Sequence, residues 1–224
     1  MTRTVNEMEK AALKAFINGQ DAINKDADDE DDGIEDGDLT RIKVQRQIIR
    51  FTMERAFYLV VLKEVKVALE KMGSDPDGAL VNLKEGEVYH RAIAEKVSKD
   101  NEPGNKIIEA QLTGSLADIS AGIIIKEYSK AWLNGTIREL DGNSGAMTDG
   151  DTQKAIETAH EDRLFAEMMI DDLGQRLGKT DRDIVTKSFG DLILASSKGA
   201  ETSALTLRET IRDILEEYAA ILGN

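Results

Sequence analysis

The chain has 224 residues, of which 32% are charged and 4% aromatic, with two prolines, and this composition is typical of a helical bundle rather than a β-sandwich or barrel. Its formal net charge of −14, with no long cluster of Lys and Arg, argues against nucleic-acid binding through a basic patch. The absence of cysteine excludes disulfides, thiolate catalysis, zinc fingers and iron–sulfur clusters.

The sequence also gives no indication of export or membrane insertion. The opening residues, MTRTVNEMEKAALKAF, lack the apolar run of a signal peptide. The longest apolar stretches, residues 57–62 and 123–125, are far too short to cross a bilayer. We therefore expect a protein that is cytoplasmic, or that lies inside a cytoplasmically assembled particle, and that has no membrane partner.

Residues 1–38 form the first predicted unit, a helix followed by an acidic linker. Nine of residues 25–38 are acidic, and the segment partly matches a calcium-binding loop, with Gly33 at the turn. The last ligand position of that loop falls on Leu39 rather than on a glutamate, so a solvated linker is favoured. The predicted helix covers residues 4–24, and its apolar positions are Met8, Leu13, Phe16, Ile17 and Ile23.

Residues 39–178 form the second predicted unit, which contains four helices. Turn-forming sequences separate the helices: SDPDG after the first, KDNEPGN and TGS around the second connection, and DGNSGAMTDGD before the fourth. The four helices are predicted over residues 39–72, from the turn at 74–78 to 98, 115–140 and 152–177. Residues 141–151 are predicted to be a loop. Residues 99–115, with a short apolar piece at 107–112, either form a long crossover or, if the third helix begins near Lys106, leave a short hairpin.

Residues 179–224 form the third predicted unit, a C-terminal helical hairpin that packs on the bundle or on a partner. Its two helices are predicted over residues 181–197 and 201–222. No segment shows a clear β-strand pattern. We predict an all-α fold, in which a four-helix bundle core carries an extra N-terminal helix and the C-terminal helical hairpin.

The two histidines of the chain each follow a glutamate by three residues, in E-V-Y-H at 87–90 and E-T-A-H at 157–160. This spacing places Glu and His on one helix face, so both can reach the same interior point. A dinuclear carboxylate site in a four-helix bundle takes such a pair from each of two helices and a single Glu from each of the other two. Carboxylate oxygens and imidazole nitrogens suit iron and manganese.

Glu54 and Glu127 are the candidates for the two single glutamates. Glu54 shares an apolar helix stripe with Phe51 and Tyr58, and Glu127 lies on an apolar face beside Ile123. A glutamate within such a stripe is uncommon unless something satisfies its charge. No catalytic residue is assigned, and the predicted metal ligands are Glu54, Glu87, His90, Glu127, Glu157 and His160.

The order of these ligands resembles the Glu, Glu-x-x-His, Glu, Glu-x-x-His order of the ferritin-like superfamily. The stretch ETAHEDRLFAEMM at 157–169 also resembles the fourth-helix motif of bacterioferritins. The resemblance covers residues 40–178, with 99–115 as the long crossover between the second and third helices. It implies two iron or manganese ions, held by bridging and terminal carboxylates and capped by one histidine each, and oxidation chemistry that uses dioxygen or peroxide.

A non-enzymatic structural or assembly protein is the alternative, such as a virion or phage component or a subunit of a homo-oligomeric particle. The two histidines would then have solvated or capping roles. Both hypotheses predict a homo-oligomer or a larger protein assembly. In the alternative, the terminal helices need a partner surface for their apolar stripes, and the C-terminal stripe consists of Leu205, Ile211, Leu215, Tyr218 and Leu222.

Overall fold

The computed structural model describes residues 36–223, together with residues 10, 13, 14 and 16–18. The described residues before position 36 are helical, as predicted, and the rest of the predicted N-terminal helix lies outside the described part. Within 36–223 the helices are α1 (Asp36–Lys71), α2 (Pro76–Arg91), α3 (Ala94–Thr113), α4 (Ala121–Thr148), α5 (Thr152–Arg176), α6 (Lys179–Ser197) and α7 (Glu201–Leu222).

The all-α prediction is confirmed, because the described residues contain these helices, a short 3-10 turn at Leu116–Asp118 and no strand. Side-chain caps explain several of the helix starts. Asp75, Ser120 and Asp151 each accept a hydrogen bond from a backbone N–H in the first turn of α2, α4 and α5. Among these described helices, none is long and apolar enough to span a bilayer.

Consecutive helices run antiparallel along the chain. The start of α2 pairs with the end of α1, where Lys71 donates to Asn82 at 2.9 Å, and the end of α2 returns to Phe57, whose ring contacts Tyr89. Four such reversals leave α1 and α5 parallel, and these two helices are in contact. Ion pairs in matching order join these two helices: Lys43–Glu157, Arg50–Glu161 and Arg55–Asp171.

Residues 99–115 do not form the long crossover of the ferritin-like arrangement, because α3 occupies most of this segment. The chain reverses at residues 92–93, and α3 then returns beside α2. The turn-forming residues of KDNEPGN produce a kink instead of a loop: Asn101 is non-helical and accepts a hydrogen bond from Gly104 N–H, as a helix cap does. Pro103 then lies in the first turn after that cap, where proline is tolerated. The expected crossover is therefore absent from residues 99–113.

The predicted loop at 141–151 is also wrong, because α4 continues to Thr148 and only residues 149–151 connect it to α5. Asn143 explains the extension. Its side chain is fully buried, donates to the Ala155 carbonyl at 2.8 Å and accepts from Arg208 at 2.8 Å. These tertiary contacts outweigh the weak helix propensity of the Gly, Asn and Asp residues in this segment.

An aromatic cluster forms the centre of the core between α1, α4 and α5. The Phe51 and Phe165 rings meet edge to face with centroids 4.7 Å apart, and Tyr58 contacts both Tyr128 and Trp132. The C-terminal hairpin packs on this body, since α6 lies against α5 and α7 lies against α4. The apolar stripe of α7, which was predicted to need a partner surface, is mostly buried within the same chain. Its buried residues are Ile211, Leu215, Tyr218 and Leu222, while Leu205 is 48% exposed.

Candidate functional site

The glutamates of the two Glu-x-x-His motifs are neutralised by nearby cations. The Glu87 carboxylate is held by Lys84 at 2.5 Å and by Arg91, and the hydrogen bond from Lys84 is the main cause that lowers the pKa of Glu87. The Glu157 carboxylate lies 2.9 Å from Lys43 and 3.7 Å from Lys154. Both carboxylates therefore have protein partners that balance their charge.

The two single glutamates have different surroundings. Glu127 is buried, and its Oε2 accepts from Asn101 at 3.1 Å while its other oxygen lies 3.7 Å from Lys130. Glu54 lies 3.7 Å from Arg50, and burial raises its pKa. Its Oε2 is buried without a hydrogen-bond partner among the described residues. Of the two, only Glu54 has an oxygen that is still to be satisfied.

Burial keeps both histidines neutral at pH 7. His90 is fully buried, its Nδ1 lies 2.7 Å from the Tyr128 hydroxyl, and burial lowers its pKa. Within the described chain, its Nε2 has no hydrogen-bond partner. Burial, with a smaller contribution from Arg163, lowers the pKa of His160 to about 4. The predicted solvated role is therefore unsuitable for His90.

The helices place the two motifs at different heights along the bundle. His90 contacts Tyr128 of α4, next to Glu127. On the opposite side of α4, Phe165 lies against Gly135 and Thr158 against Gly142, so His160 is level with Leu140. Twelve residues of helix separate Tyr128 from Leu140, which corresponds to about 18 Å along the axis. The two histidines are thus far more widely separated than a metal pair about 4 Å apart allows.

The six predicted ligands therefore do not fit one dinuclear centre in this arrangement. The charge of Glu161, on α5, adds to the effect of burial in raising the pKa of Glu54. No group of three or more His, Asp or Glu side chains within the described residues has an arrangement that could hold a metal ion. The ferritin-like metal site stays a prediction that gains no support from the geometry.

The outer surface of α2 is the feature that the sequence analysis did not single out. Leu80, Val81, Val88 and Tyr89 are 49%, 59%, 58% and 37% exposed, respectively, and we call these four residues the α2 face. Val81 and Val88 are seven residues apart and therefore lie on the same side of the helix. The opposite side of α2 holds the buried residues Leu83, Gly86 and His90. Helix α2 is thus apolar on both its inner and outer sides.

Two grooves border the α2 face. The groove between α2 and α1 has a volume of about 630 Å³, and four apolar and four charged residues line it: Val60, Val81, Val88, Tyr89, Lys63, Glu64, Lys84 and Glu85. The groove between α2 and the end of α3 has a volume of about 380 Å³ and is lined by Leu80 and Val81 together with Leu112 and Gly114. The α2 face is therefore a ridge between two depressions, a shape that can interlock with the side chains of a partner helix.

The seven-residue spacing of Val81 and Val88 is a sequence signal that could have identified this surface. Periodicity placed His90 on the core side of α2, but the sequence analysis assigned no role to the exposed apolar residues on the other side. No protein-family model, no curated protein and no solved structure matches this chain. The function is therefore inferred from the geometry of the chain itself.

Proposed function

We propose that this chain is a non-enzymatic helical assembly protein that associates with further copies of itself, with the α2 face of one copy binding the N-terminal helix of another. The observation that carries this proposal is the exposed apolar α2 face. Its two apolar pairs, at residues 80–81 and 88–89, flank the exposed Lys84 and Glu85, and exposed apolar side chains grouped in this way can mark an interaction site. The two grooves beside it match the way in which an amphipathic helix presents anchors at successive turns.

The N-terminal helix supplies a suitable occupant. Leu13, Phe16 and Ile17 are 59%, 61% and 49% exposed, so their side chains are not covered by the rest of their own chain. These residues are three or four positions apart and share one side of a helix. One chain thus carries two uncovered apolar surfaces, and pairing them between copies removes both from water.

The connection between these surfaces is long enough for exchange between copies. Residues 18–35 reach up to about 60 Å when extended, and the distance from Asp36 to Val60 along α1 is about 36 Å. Residues 25–38 carry nine acidic residues and one lysine. Like charges repel one another along such a linker, which favours binding of the N-terminal helix to another copy rather than to its own chain. The groove itself is balanced in charge, since Lys63 and Lys84 line it together with Glu64 and Glu85.

The core that presents the α2 face is, in our proposal, a four-helix bundle of α1, α3, α4 and α5. The membership differs from the predicted bundle, because α3 replaces α2, although α2 also packs along α1. Side chains from all four helices meet at one height along the bundle, which supports this grouping. Lys96 of α3 lies over the rings of Phe51 of α1 and Phe165 of α5, and Arg138 of α4 lies over the same Phe165 ring. The α6–α7 hairpin then packs on the α4–α5 side.

The natural absence of cysteine permits a direct test by disulfide formation. A copy with Phe16→Cys is mixed with a larger, tagged copy with Val88→Cys and oxidised, so that a mixed disulfide can join only two different chains. We expect more mixed disulfide than for Phe16→Cys with Glu209→Cys, because Glu209 is exposed on α7, away from the α2 face. Equal yields for the two mixtures would exclude the proposed contact.

A further inference from the structure

The C-terminal hairpin has a groove of its own, separate from the two grooves that border the α2 face. This hairpin groove lies between the end of α6 and the first turns of α7, and its volume is about 500 Å³. Most of the side chains that line it are short, at Ala195, Ala200, Thr202, Ser203 and Thr206. Short side chains leave a depression into which the side chains of another helix can pack.

Leu194 is the exposed apolar residue of the hairpin groove. Its side chain is 52% exposed, and Ala195, the next residue on α6, also lines the groove. A large apolar side chain therefore lies directly beside a position that only an alanine fills. Covering Leu194 would remove its apolar area from water. A projection and a depression side by side form a surface that can pack against a second copy of itself.

Asp191 and Lys198 are the charged residues that line the hairpin groove. They are seven residues apart on α6, which corresponds to about 10 Å along the helix axis. Lys198 is the C-terminal cap of α6, keeps a right-handed helical backbone and is exposed, and within the described chain its amine makes no ion pair. Asp191 pairs with Lys187 on the same helix, and both side chains are exposed, so this ion pair contributes little.

We propose that the hairpin groove is a two-fold contact between two copies of the chain, whose α6 helices pack antiparallel to each other. In a two-fold contact every pairing occurs twice, because each residue meets the same partner position in the other copy. With the axis between positions 194 and 195, Leu194 of each copy packs on Ala195 of the other. Asp191 of each copy then meets Lys198 of the other. Two ion pairs thus flank the apolar centre of the contact.

The order of the charges identifies a second copy as the occupant. The acid and the base lie on opposite sides of Leu194, so α6 is complementary in charge to its own antiparallel copy. A parallel pair would instead place Asp191 beside Asp191 and Lys198 beside Lys198, and like charges that face each other are unfavourable. Because the contact covers about two helical turns, it is small, and small interfaces are typical of weak association.

The two-fold contact involves neither the α2 face nor the N-terminal helix, so it goes beyond the proposed function and can be tested separately from it. Every chain in the tests below carries Val81→Asp and Val88→Asp, which removes association through the α2 face. Any remaining association then comes from another surface. Failure of the two-fold contact would leave the α2 face untouched as a proposal, and failure of the α2 face would leave these tests unchanged.

A single cysteine near the two-fold axis reports the contact, because the natural chain contains none. Chains with Leu194→Cys are oxidised at high concentration beside chains with Leu205→Cys. Leu205 is the matched control, since its side chain is 48% exposed but does not line the hairpin groove. We expect Leu194→Cys chains to form disulfide dimers about tenfold faster than Leu205→Cys chains, because association raises the local concentration of the thiols. Equal rates would overturn the proposal.

The competing occupant is the N-terminal helix of another copy, which carries the exposed Phe16. Leu194→Cys chains are mixed with larger, tagged Phe16→Cys chains and oxidised in the same way. A mixed disulfide that forms more slowly than the Leu194→Cys dimer supports the two-fold contact. A mixed disulfide that forms faster would place the N-terminal helix in the hairpin groove and overturn it.

Reversing the charges tests the antiparallel pairing. Asp191→Lys makes lysines face lysines at both ends of the contact, and Lys198→Asp makes aspartates face aspartates. Each variant alone should self-associate about tenfold more weakly in sedimentation equilibrium than chains with the natural charges. An equal mixture of the two variants restores both opposite-charge pairs and should associate as strongly as those chains. Variants that associate normally on their own, or a mixture that associates no better than they do, would overturn the proposed pairing.

Discussion

The Nδ1 atom of His90 and the hydroxyl of Tyr128 form a 2.7 Å hydrogen bond between two fully buried side chains on α2 and α4. The bond links the α2–α3 hairpin to the centre of the core, because Tyr128 also contacts Tyr58 and stacks on Trp132. His90 thus has a structural partner for its Nδ1, while its Nε2 is buried without a partner among the described residues. Its energetic contribution can be measured directly.

Replacing Tyr128 with Phe should destabilise the protein. The change removes the hydroxyl and leaves His90 Nδ1 buried without a partner, which costs about 1–3 kcal/mol. Urea unfolding followed by circular dichroism measures this change. Tyr89→Phe is the matched control, because Tyr89 is 37% exposed and its hydroxyl is not needed inside the core. Equal stability of the two variants would show that the His90–Tyr128 bond contributes nothing.

Stability should decline in acid through His160. Its folded pKa of about 4 is below the unfolded value of 6.5, so folding favours the neutral imidazole. This contribution is present above pH 6.5 and is lost as the pH falls from 6.5 towards 4, at up to about 1.4 kcal/mol per pH unit. Urea unfolding at several pH values should show a shallower decline in His160→Gln than in the natural protein. The same slope in both would contradict the burial of His160.

Asp162 should make the opposite contribution. Its side chain is fully buried, neither oxygen has a hydrogen-bond partner within the described residues, and burial raises its pKa well above the usual value. A carboxyl with a raised folded pKa weakens the protein as the pH rises above its unfolded value of 3.8. We expect Asp162→Asn to stabilise the protein at pH 8 by roughly 1–3 kcal/mol, with a smaller effect at pH 4. A destabilised variant at pH 8 would show that the ionised carboxylate is satisfied.

The metal hypothesis has its own decisive measurement. The purified protein is reconstituted with excess iron or manganese, desalted and analysed by mass spectrometry of the elements, beside a His90→Ala/His160→Ala variant. Because the two histidines are about 18 Å apart along the bundle, we expect less than one ion per chain and no difference between the proteins. Two ions per chain that disappear in the variant would restore the ferritin-like prediction.

Self-association should depend on the α2 face. Val81→Asp combined with Val88→Asp places two charges in the proposed interface, and burying an unpaired charge there is strongly unfavourable. Light scattering after gel filtration should show a fall towards the mass of a single chain. Leu205→Asp is the control, since Leu205 is similarly exposed on α7. An unchanged mass in the double variant, or an equal fall in the control, would exclude the α2 face as the contact.

The sequence predicted those helices whose ends carry local signals. Helix α1 ends two residues before Gly73, and α5 starts after the Asp151 cap, so both were located correctly. The errors at α3 and α4 have another cause: Asn101 caps a turn within a helix, and Asn143 is held by distant partners on α5 and α7. A sequence shows these residue types but not the contacts that decide their conformation.

The candidate metal ligands show the same limit of what a sequence can indicate. Helical periodicity correctly indicated that His90 and Glu127 face the interior, since both are buried. It cannot give the height at which one helix packs against the next. The height of packing separates His90 from His160. It also places Lys96 between Phe51 and Phe165, a position that no local sequence pattern indicates.

The parallel contact of α1 and α5 determines when this protein can fold during its synthesis. Phe51 cannot meet Phe165 until the ribosome has released 114 further residues, and Lys43 must wait equally long for Glu157. The first half of the chain therefore leaves the ribosome with an apolar side of α1 uncovered. Contacts so distant in sequence slow folding and prolong the exposure of aggregation-prone surface. The dense acidic stretch ahead of α1 is then well placed to keep the unfinished chain in solution.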